Sequence, residues 1–283
     1  MTLEDVVCDW QGAVRMKDRQ GRIEQAEKWN EYYSYLAKKQ RNAEYRPDPA
    51  AEKLVRLMLQ ENILQKADRV LDVGAGMGSY TIEIAKHSGQ VTAADMNEDC
   101  LSVLEGRAEQ AGAGSIKSVP TMWENMDVET RQKKYDLCFS SMCPAICSVQ
   151  DLESLEKMSR RTVCLVSVMQ GSYEKHRREM MRQLEIKPKG MTTEAIYYYN
   201  ALYLMGRRPN VKCWSSFFRY PMSSAEIMER FPIYFKIFGL EEERTLSFLE
   251  GYLRKHAEDG VLMEECRMNM AMIYWNTAED GKE

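Results

Sequence analysis

The 283-residue chain contains only three histidines, and none is placed as an obvious general base. His87 closes a helix-like run just before Gly89, where capping accounts for it, and His176 and His256 lie in charged helical stretches. No stretch approaches the roughly 20 consecutive apolar residues needed to span a bilayer, so no membrane partner is expected. The opening residues MTLEDVVCDWQGAVR carry acids where a signal peptide would carry a basic start, which points to a cytoplasmic protein. Positive charge is also not in excess: 39 Lys and Arg face 43 Asp and Glu, for a net charge of -4. With a pI near 5.7, nothing attracts a phosphate backbone globally, and a nucleic-acid partner is not favoured. Internal repeats and low-complexity segments are absent, which excludes solenoids and arrays. The eight cysteines (Cys8, Cys100, Cys138, Cys143, Cys147, Cys164, Cys213 and Cys266) are scattered, several inside apolar strand-like runs, as reduced buried thiols are. Cys143 and Cys147 stand four apart, but no second Cys or His pair follows at suitable spacing, so no metal site is expected.

What is present is an ordinary globular composition, 44% hydrophobic and 29% charged, in a chain long enough for a sizeable core. Residues 23–39, IEQAEKWNEYYSYLAKK, place Trp29, Tyr32, Tyr33 and Leu36 at helical spacing. Asp48 and Pro49 supply a cap and a first-turn proline for a second helix, AAEKLVRLMLQENIL. From Asp68 short apolar runs alternate with helices: RVLDV, QVTAAD, SIKSV, YDLCFSS and TVCLVSV. Strands apolar throughout and separated by helices predict a parallel sheet covered on both faces. Beyond Gly171 two helical runs, SYEKHRREMMRQL and TEAIYYYNALYLMG, precede VKCWSSFF, a helix over 223–231, and GVLMEE and MNMAMIYW. The last two are expected to pair antiparallel across a short link.

The run Val70 to Tyr80, VLDVGAGMGSY, takes an apolar strand into a glycine cluster and at once into a helix. Glycines there permit positive backbone dihedrals and close approach of a ligand to the main chain, and a helix amino terminus favours an anionic group. A nicotinamide-binding turn uses G-x-G-x-x-G, but Gly78 comes one residue too early for that spacing, and position 79 is Ser. Asp72, two residues before the first glycine, is placed to accept hydrogen bonds from a ligand amino group. Asp95 ends the second strand a little over 20 residues later, where a carboxylate receives both hydroxyls of a ribose.

VLDVGAGMGSYTIEIA followed by VTAADMNEDCLSVL resembles the first two motifs of the class I, Rossmann-like, S-adenosylmethionine-dependent methyltransferases. The family's acid and Gly-x-Gly-x-Gly pattern is met by Asp72, Gly74, Gly76 and Gly78, its strand-two acid by Asp95, and the apolar neighbour against adenine by Met96. The resemblance runs from Arg69 to about Val168. It implies S-adenosylmethionine as methyl donor, S-adenosylhomocysteine as product, and a three-layer α/β sandwich around a seven-stranded, mostly parallel sheet. It also implies an N-terminal helical lid over 1–66, a cofactor-binding core over 67–170, a helical insertion after strand five over 171–208 as substrate cover, and a C-terminal part over 209–283 with antiparallel last strands. Many members carry an acid after strand three; SVPTMWENMD stands there, offering Met122, Trp123 or Glu124 as the adenine contact, with Trp123 preferred for stacking or edge packing.

Cofactor-binding expectations are therefore Asp72, Gly74, Ala75, Gly76, Gly78, Asp95, Met96, Met122, Trp123 and Ser140, with Tyr45 as a contact from the lid. Strand four runs out into Ser140, Ser141, Met142, Cys143 and Pro144, and the carboxyl ends of parallel strands form the ligand crevice, so Ser141 and Cys143 are expected beside the acceptor, with Tyr33 and Tyr198 as further candidates. The Asn-Pro-Pro-Tyr motif of amino-group methyltransferases is absent. Because the donor is a strong electrophile, alignment alone supplies about 7–11 kcal/mol of the barrier, and no catalytic residue is named. The basic stretch 174–212, with Arg207 and Arg208, suggests a small-molecule acceptor that is anionic. The acceptor itself and the oligomeric state are not legible. The rival readings are an NAD(P)-dependent oxidoreductase and a non-catalytic binding module for the same cofactor.

Overall fold

The computed structural model describes residues 19–186 and 195–277; the expectations that fall on 1–18, including Cys8, on 187–194 and on 278–283 lie outside the described residues. Helix α1 spans Arg19–Gln40 and α2 spans Pro49–Gln60. Asp48 caps α2 by accepting a hydrogen bond from the Ala50 N–H at 2.8 Å, with Pro49 in the first turn, where its missing N–H has no partner to lose. From Arg69 strands and helices alternate: β1 (Arg69–Val73), α3 (Ser79–Ala85), β2 (Gln90–Asp95), α4 (Glu98–Gln110), β3 (Ile116–Pro120), β4 (Tyr135–Ser141), α5 (Val149–Met158) and β5 (Ser159–Val168). There follow a two-residue β6 (Tyr173–Glu174), α6 (Lys175–Gln183), α7 (Ala195–Leu204), β7 (Asn210–Ser223), α8 (Ser224–Lys236), α9 (Glu242–His256) and β8 (Val261–Asn276).

The strands form one sheet in the order β3-β2-β1-β4-β5-β8, with β6 and β7 both paired to β8. Strands one to five are parallel and β8 is antiparallel to β5. Successive residues of each central strand point to opposite faces, and both faces are buried. Phe139 of β4, Cys164 and Val166 of β5, and Met270 and Met272 of β8 pack with Leu54, Met58, Ile82 and Ile84 of α2 and α3. Cys138, Val163, Leu165, Ala271, Ile273 and Trp275 pack with Leu152 and Leu155 of α5 and with Ala195, Tyr198 and Leu202 of α7. This is the three-layer sandwich expected, and each fully buried large side chain contributes about 1.5–3 kcal/mol.

Four details differ from the expectation. The sheet has eight strands rather than seven, because the short β6 pairs Tyr173 and Glu174 with Arg267 and Cys266 along the same edge of β8 that β5 uses further on. GVLMEE and MNMAMIYW are one continuous strand, not a hairpin. The polar break at Glu264, Glu265 and Arg267 hides that continuity, yet β7 pairs with β8 at every position from Asn210↔Tyr274 to Ser223↔Val261. The acidic stretch after Gly239 contains a full helix, α9, whose Thr245, Leu249, Tyr252 and Leu253 are buried. Finally, α7 lies against a sheet face and does not form a separate cover.

The carboxyl edge of the sheet is instead flanked by the antiparallel pair β7–β8, whose connection holds α8 and α9. Strand β5 ends at Val168 opposite Met270, so residues 261–269 of β8 project beyond it. That projection carries α6, α8 and α9, and together with Tyr32 of α1 they form a separate apolar cluster around Met180, Met222, Phe231, Phe235, Leu249 and Leu262.

Candidate functional site

The direction of chain progress reverses between β1 and β4, since β2 and β3 lie to one side and β5 to the other. In open parallel sheets this switch point opens a crevice at the carboxyl ends of the strands. A cavity of about 250 Å³ lies there. Its floor comes from Val73, Gly74 and Gly76 after β1 and from Asp95 and Met96 after β2; Thr121 to Glu124 form one wall, and Ser141 to Ala145 the opposite one. Trp29, Asn30 and Tyr33 of α1 roof it.

The glycine turn is built by close packing. Gly74 has φ +76°, and a Cβ there would lie 2.6 Å from Cys143 Sγ, so only glycine lets the strand-four loop descend onto the turn. Gly78 has φ +85°, caps α3 in the left-handed conformation, and a Cβ there would meet Leu104 Cγ at 2.6 Å. The turn's N–H groups are largely committed within the fold. Those of Gly74 and Ala75 donate to the Ala94 carbonyl at 2.8 and 3.2 Å, and that of Gly76 donates to Asp95 Oδ2 at 2.8 Å. The turn therefore ties β1 to the end of β2 instead of presenting a row of N–H donors to an anion.

Asp95 is held at both oxygens, since the Asn97 N–H donates to Oδ1 at 2.8 Å. Burial pushes its pKa up, and the main-chain donors from Asn97, Gly76 and Met96 oppose that rise. Asp72 sits beneath the turn, 2% exposed, and does not line the cavity. The Thr81 hydroxyl donates to its Oδ2 at 2.6 Å, and burial, with Asp95 adding a like charge, still pushes its pKa up to about 7.

Of the sequence-expected residues, the cavity brings together Gly74, Gly76, Asp95, Met96, Met122, Trp123, Ser141, Cys143 and Tyr33. Trp123 is fixed as a wall by its indole N–H, which donates to Asp151 Oδ1 at 2.7 Å; Asp151 also completes the capping box of α5 with Ser148. Ala75 packs on Leu101 and Leu104, and the Ser140 hydroxyl is buried, donating to the Val73 carbonyl at 2.9 Å. Tyr45 does not reach the cavity. Its hydroxyl donates to Glu83 at 3.0 Å and its ring lies against the core beneath α2 and α3, because the segment before α2 runs along the sheet's flank rather than over its edge. Tyr198 is likewise buried on the α7 face of the sheet, donating to the Ile146 carbonyl. Arg207 is engaged with both oxygens of Glu156 at 2.8 and 2.9 Å, in a group that includes the Trp275 indole N–H, and it does not line the cavity.

Among the described residues no Lys, Arg or His lines the cavity, whose charged members are Asp95 and Glu124. Cys143 is a half-buried thiol whose pKa is pushed up to about 12 by desolvation, which disfavours the thiolate. The Tyr33 hydroxyl, among Tyr32, Cys143 and Asp95, is also pushed up, mainly by burial, so a phenolate is disfavoured. His176 and His256 pack around Tyr252 in the C-terminal cluster, away from the cavity. Asn30 and Asn97 were not expected at the site; Asn97 reads in sequence only as a helix cap, and no local pattern signals its contact with α1.

Residues 70–163 match the family model described as a methyltransferase domain. A protein of Methanobrevibacter smithii assigned as a cobalt-precorrin-6B C(15)-methyltransferase (decarboxylating) is 29% identical over 94 residues, covering 29% of this chain and 48% of that protein. The release factor glutamine methyltransferase of Bordetella pertussis is 34% identical over 97 residues, covering 34% of this chain and 35% of its own. The chain thus spans less than half the length of these curated relatives. Among solved structures, a Bacillus halodurans protein assigned as a methyltransferase is 15% identical, with a TM-score of 0.51 over 79% of this chain and 98% of its own, a likeness of fold. No helix among the described residues is long and apolar enough to cross a membrane. Turn, strand order and family match agree: residues 70–163 match a methyltransferase domain, and the sheet around them has the fold of a solved methyltransferase-like structure.

Proposed function

We propose that the protein transfers the methyl group of S-adenosylmethionine to a small-molecule acceptor by direct displacement. The observation that carries this reading is the half-buried Asp95 at the edge of the cavity, tied to the glycine turn through Gly76 and bordered by Met96. The main-chain N–H groups of Gly76, Met96 and Asn97 point at the carboxylate, whose two oxygens offer about four acceptor sites and so keep capacity for a ribose hydroxyl. Met96, Met122 and Trp123 supply apolar surface for the adenine, and Gly74 and Gly76 leave room for the methionine portion above the turn.

On the acceptor side, Ser141, Met142 and Cys143 border the place where the methyl group would sit. With no cationic side chain among its described lining residues and two carboxylates in it, the cavity suits an uncharged acceptor better than an anionic one. Arg207, held by Glu156, supports no anion site there. The walls align the acceptor and exclude water, and an acceptor that carries a proton keeps it through the displacement and releases it to bulk water once the methylated product has left the cavity. Incubation of the chain with donor labelled on its methyl carbon and a low-molecular-weight cell fraction tests this. The expected result is S-adenosylhomocysteine formed in step with label in a neutral, solvent-extractable product; label retained entirely in the donor contradicts it.

A further inference from the structure

The amide of Asn97, 3% exposed, lies where three parts of the site meet. Its main-chain N–H donates to Asp95 Oδ1 at 2.8 Å. Its side-chain Oδ1 accepts from the Cys100 N–H at 2.8 Å and so caps α4. Its Nδ2 reaches across 67 residues of sequence to α1, lying 3.0 Å from the Asn30 carbonyl, 2.7 Å from Asn30 Oδ1 and 3.0 Å from Ser34 Oγ. Two N–H bonds thus serve three acceptors on the helix that roofs the cavity. Helix capping needs only the oxygen; a serine or aspartate would cap as well. The amide nitrogen therefore has a second task.

The remaining contacts along the same seam point the same way. Arg41 pairs with Asp99 at 3.0 Å, the Arg107 guanidinium contacts Gln40, and the Cys100 thiol faces the Tyr33 carbonyl at 3.8 Å. The Arg41 pair is exposed and the thiol contact weak, the Arg107 contact lies at the far end of α1, and Asn97 is the one member of the seam that also bonds Asp95. Tyr33 and Trp29, which flank Asn30 and hang over the cavity, are held in place through this point.

We propose that Asn97 is a positioning residue that latches the α1 roof to the cofactor carboxylate, so that cofactor engagement at Asp95 and placement of Trp29, Asn30 and Tyr33 over the cavity occur as one event. This rests on the proposed donor reading and deepens it. Displacing α1 would otherwise leave the same cavity open on its roof side, and cofactor could leave without disturbing Asp95. With the latch made, departure requires breaking buried hydrogen bonds, so the latch acts on the dissociation rate more than on association.

Asn97→Asp separates the two tasks, because the carboxylate still caps α4 but cannot donate to α1 and faces the Asn30 carbonyl. Ser34→Ala, at a residue outside the cavity lining, loosens the same contact in a milder way. Dissociation of S-adenosylhomocysteine is measured by stopped flow, and hydrogen exchange over residues 26–36 is followed with and without it. Asn97→Asp is expected to dissociate about tenfold faster with association nearly unchanged, the cost of one or two buried hydrogen bonds. Ligand-induced protection of 26–36 should be lost in Asn97→Asp and reduced in Ser34→Ala, while exchange in β1 and β2 remains protected. Wild-type dissociation and protection in Asn97→Asp overturn the latch, and if that variant does not fold, wild-type protection in Ser34→Ala does so. A wild-type chain that folds but does not bind S-adenosylhomocysteine overturns the donor reading itself, a result distinguishable from either.

Discussion

Asp95 and Asp72 are both carboxylates at the glycine turn, and their surroundings give them different roles. Asp95 faces the cavity with three main-chain donors already in place; Asp72 is sealed beneath the turn with the Thr81 hydroxyl as its named partner. Replacing Asp95 by Ala should weaken cofactor binding by about 1–3 kcal/mol, through unpaired ribose hydroxyls and the orphaned Gly76 and Asn97 N–H groups. For Asp72 the consequence is pH dependence of stability. Its folded pKa of about 7 lies above the ordinary carboxylate value of 3.8, so the folded chain binds more protons than the unfolded one between those limits, and stability from this group is present below pH 4 and is lost as pH rises to 7. Asp72→Asn removes that loss. Urea unfolding of the ligand-free chain should show the variant gaining about 3 kcal/mol over wild type between pH 5 and pH 8, nearly all of it below pH 7. A difference independent of pH would mean that Asp72 is charged in the folded chain.

At the level of elements, the parts legible in the sequence were those encoded locally. The apolar run ending at Gly74, the early Gly78 and the acid at the end of β2 lie within 30 residues of one another, and the Asp48-Pro49 start of α2 is visible in two residues. Contacts between distant segments were not. Tyr45, Tyr198 and Arg207 carry the right chemistry for a site, but their partners Glu83, Ile146 and Glu156 are 38, 52 and 51 residues away, and no periodicity announces them. Strand β8 looked like two because Glu264 interrupts its apolar pattern. That carboxylate is nonetheless buried, and it accepts the His176 and Arg177 N–H groups at the first turn of α6 at 2.9 and 3.1 Å. The structural role assigned to Tyr198 has a direct check. Tyr198→Phe deletes one buried hydrogen bond from α7 to the loop before α5 and should lower unfolding free energy by about 1 kcal/mol, with cofactor affinity unchanged. Altered affinity at unchanged stability would return Tyr198 to the site.

For the molecule as a whole, the sheet supplies a rigid carboxyl edge, and the segments at the two ends of the chain enclose it. Helix α1 contacts the core through Asn97 and the C-terminal cluster through Tyr32, whose hydroxyl accepts from Arg230 Nε at 2.8 Å. The long antiparallel pair β7–β8 carries α8 and α9 beyond the end of β5, so α1 bridges the glycine-turn core and the C-terminal helices over the cavity. Such an enclosure favours the small acceptor proposed above, and walls that hold two carboxylates and no cation among the described residues favour one that brings no negative charge. In the proposed reading the cavity above Gly74, Gly76 and Asp95 holds S-adenosylmethionine, and calorimetric titration of the whole chain with that cofactor decides it. Saturable binding at one site per chain, weakened by Asp95→Ala in a variant that remains folded, is the predicted result; a folded wild-type chain that takes up no cofactor, or an Asp95→Ala variant with wild-type affinity, would contradict it.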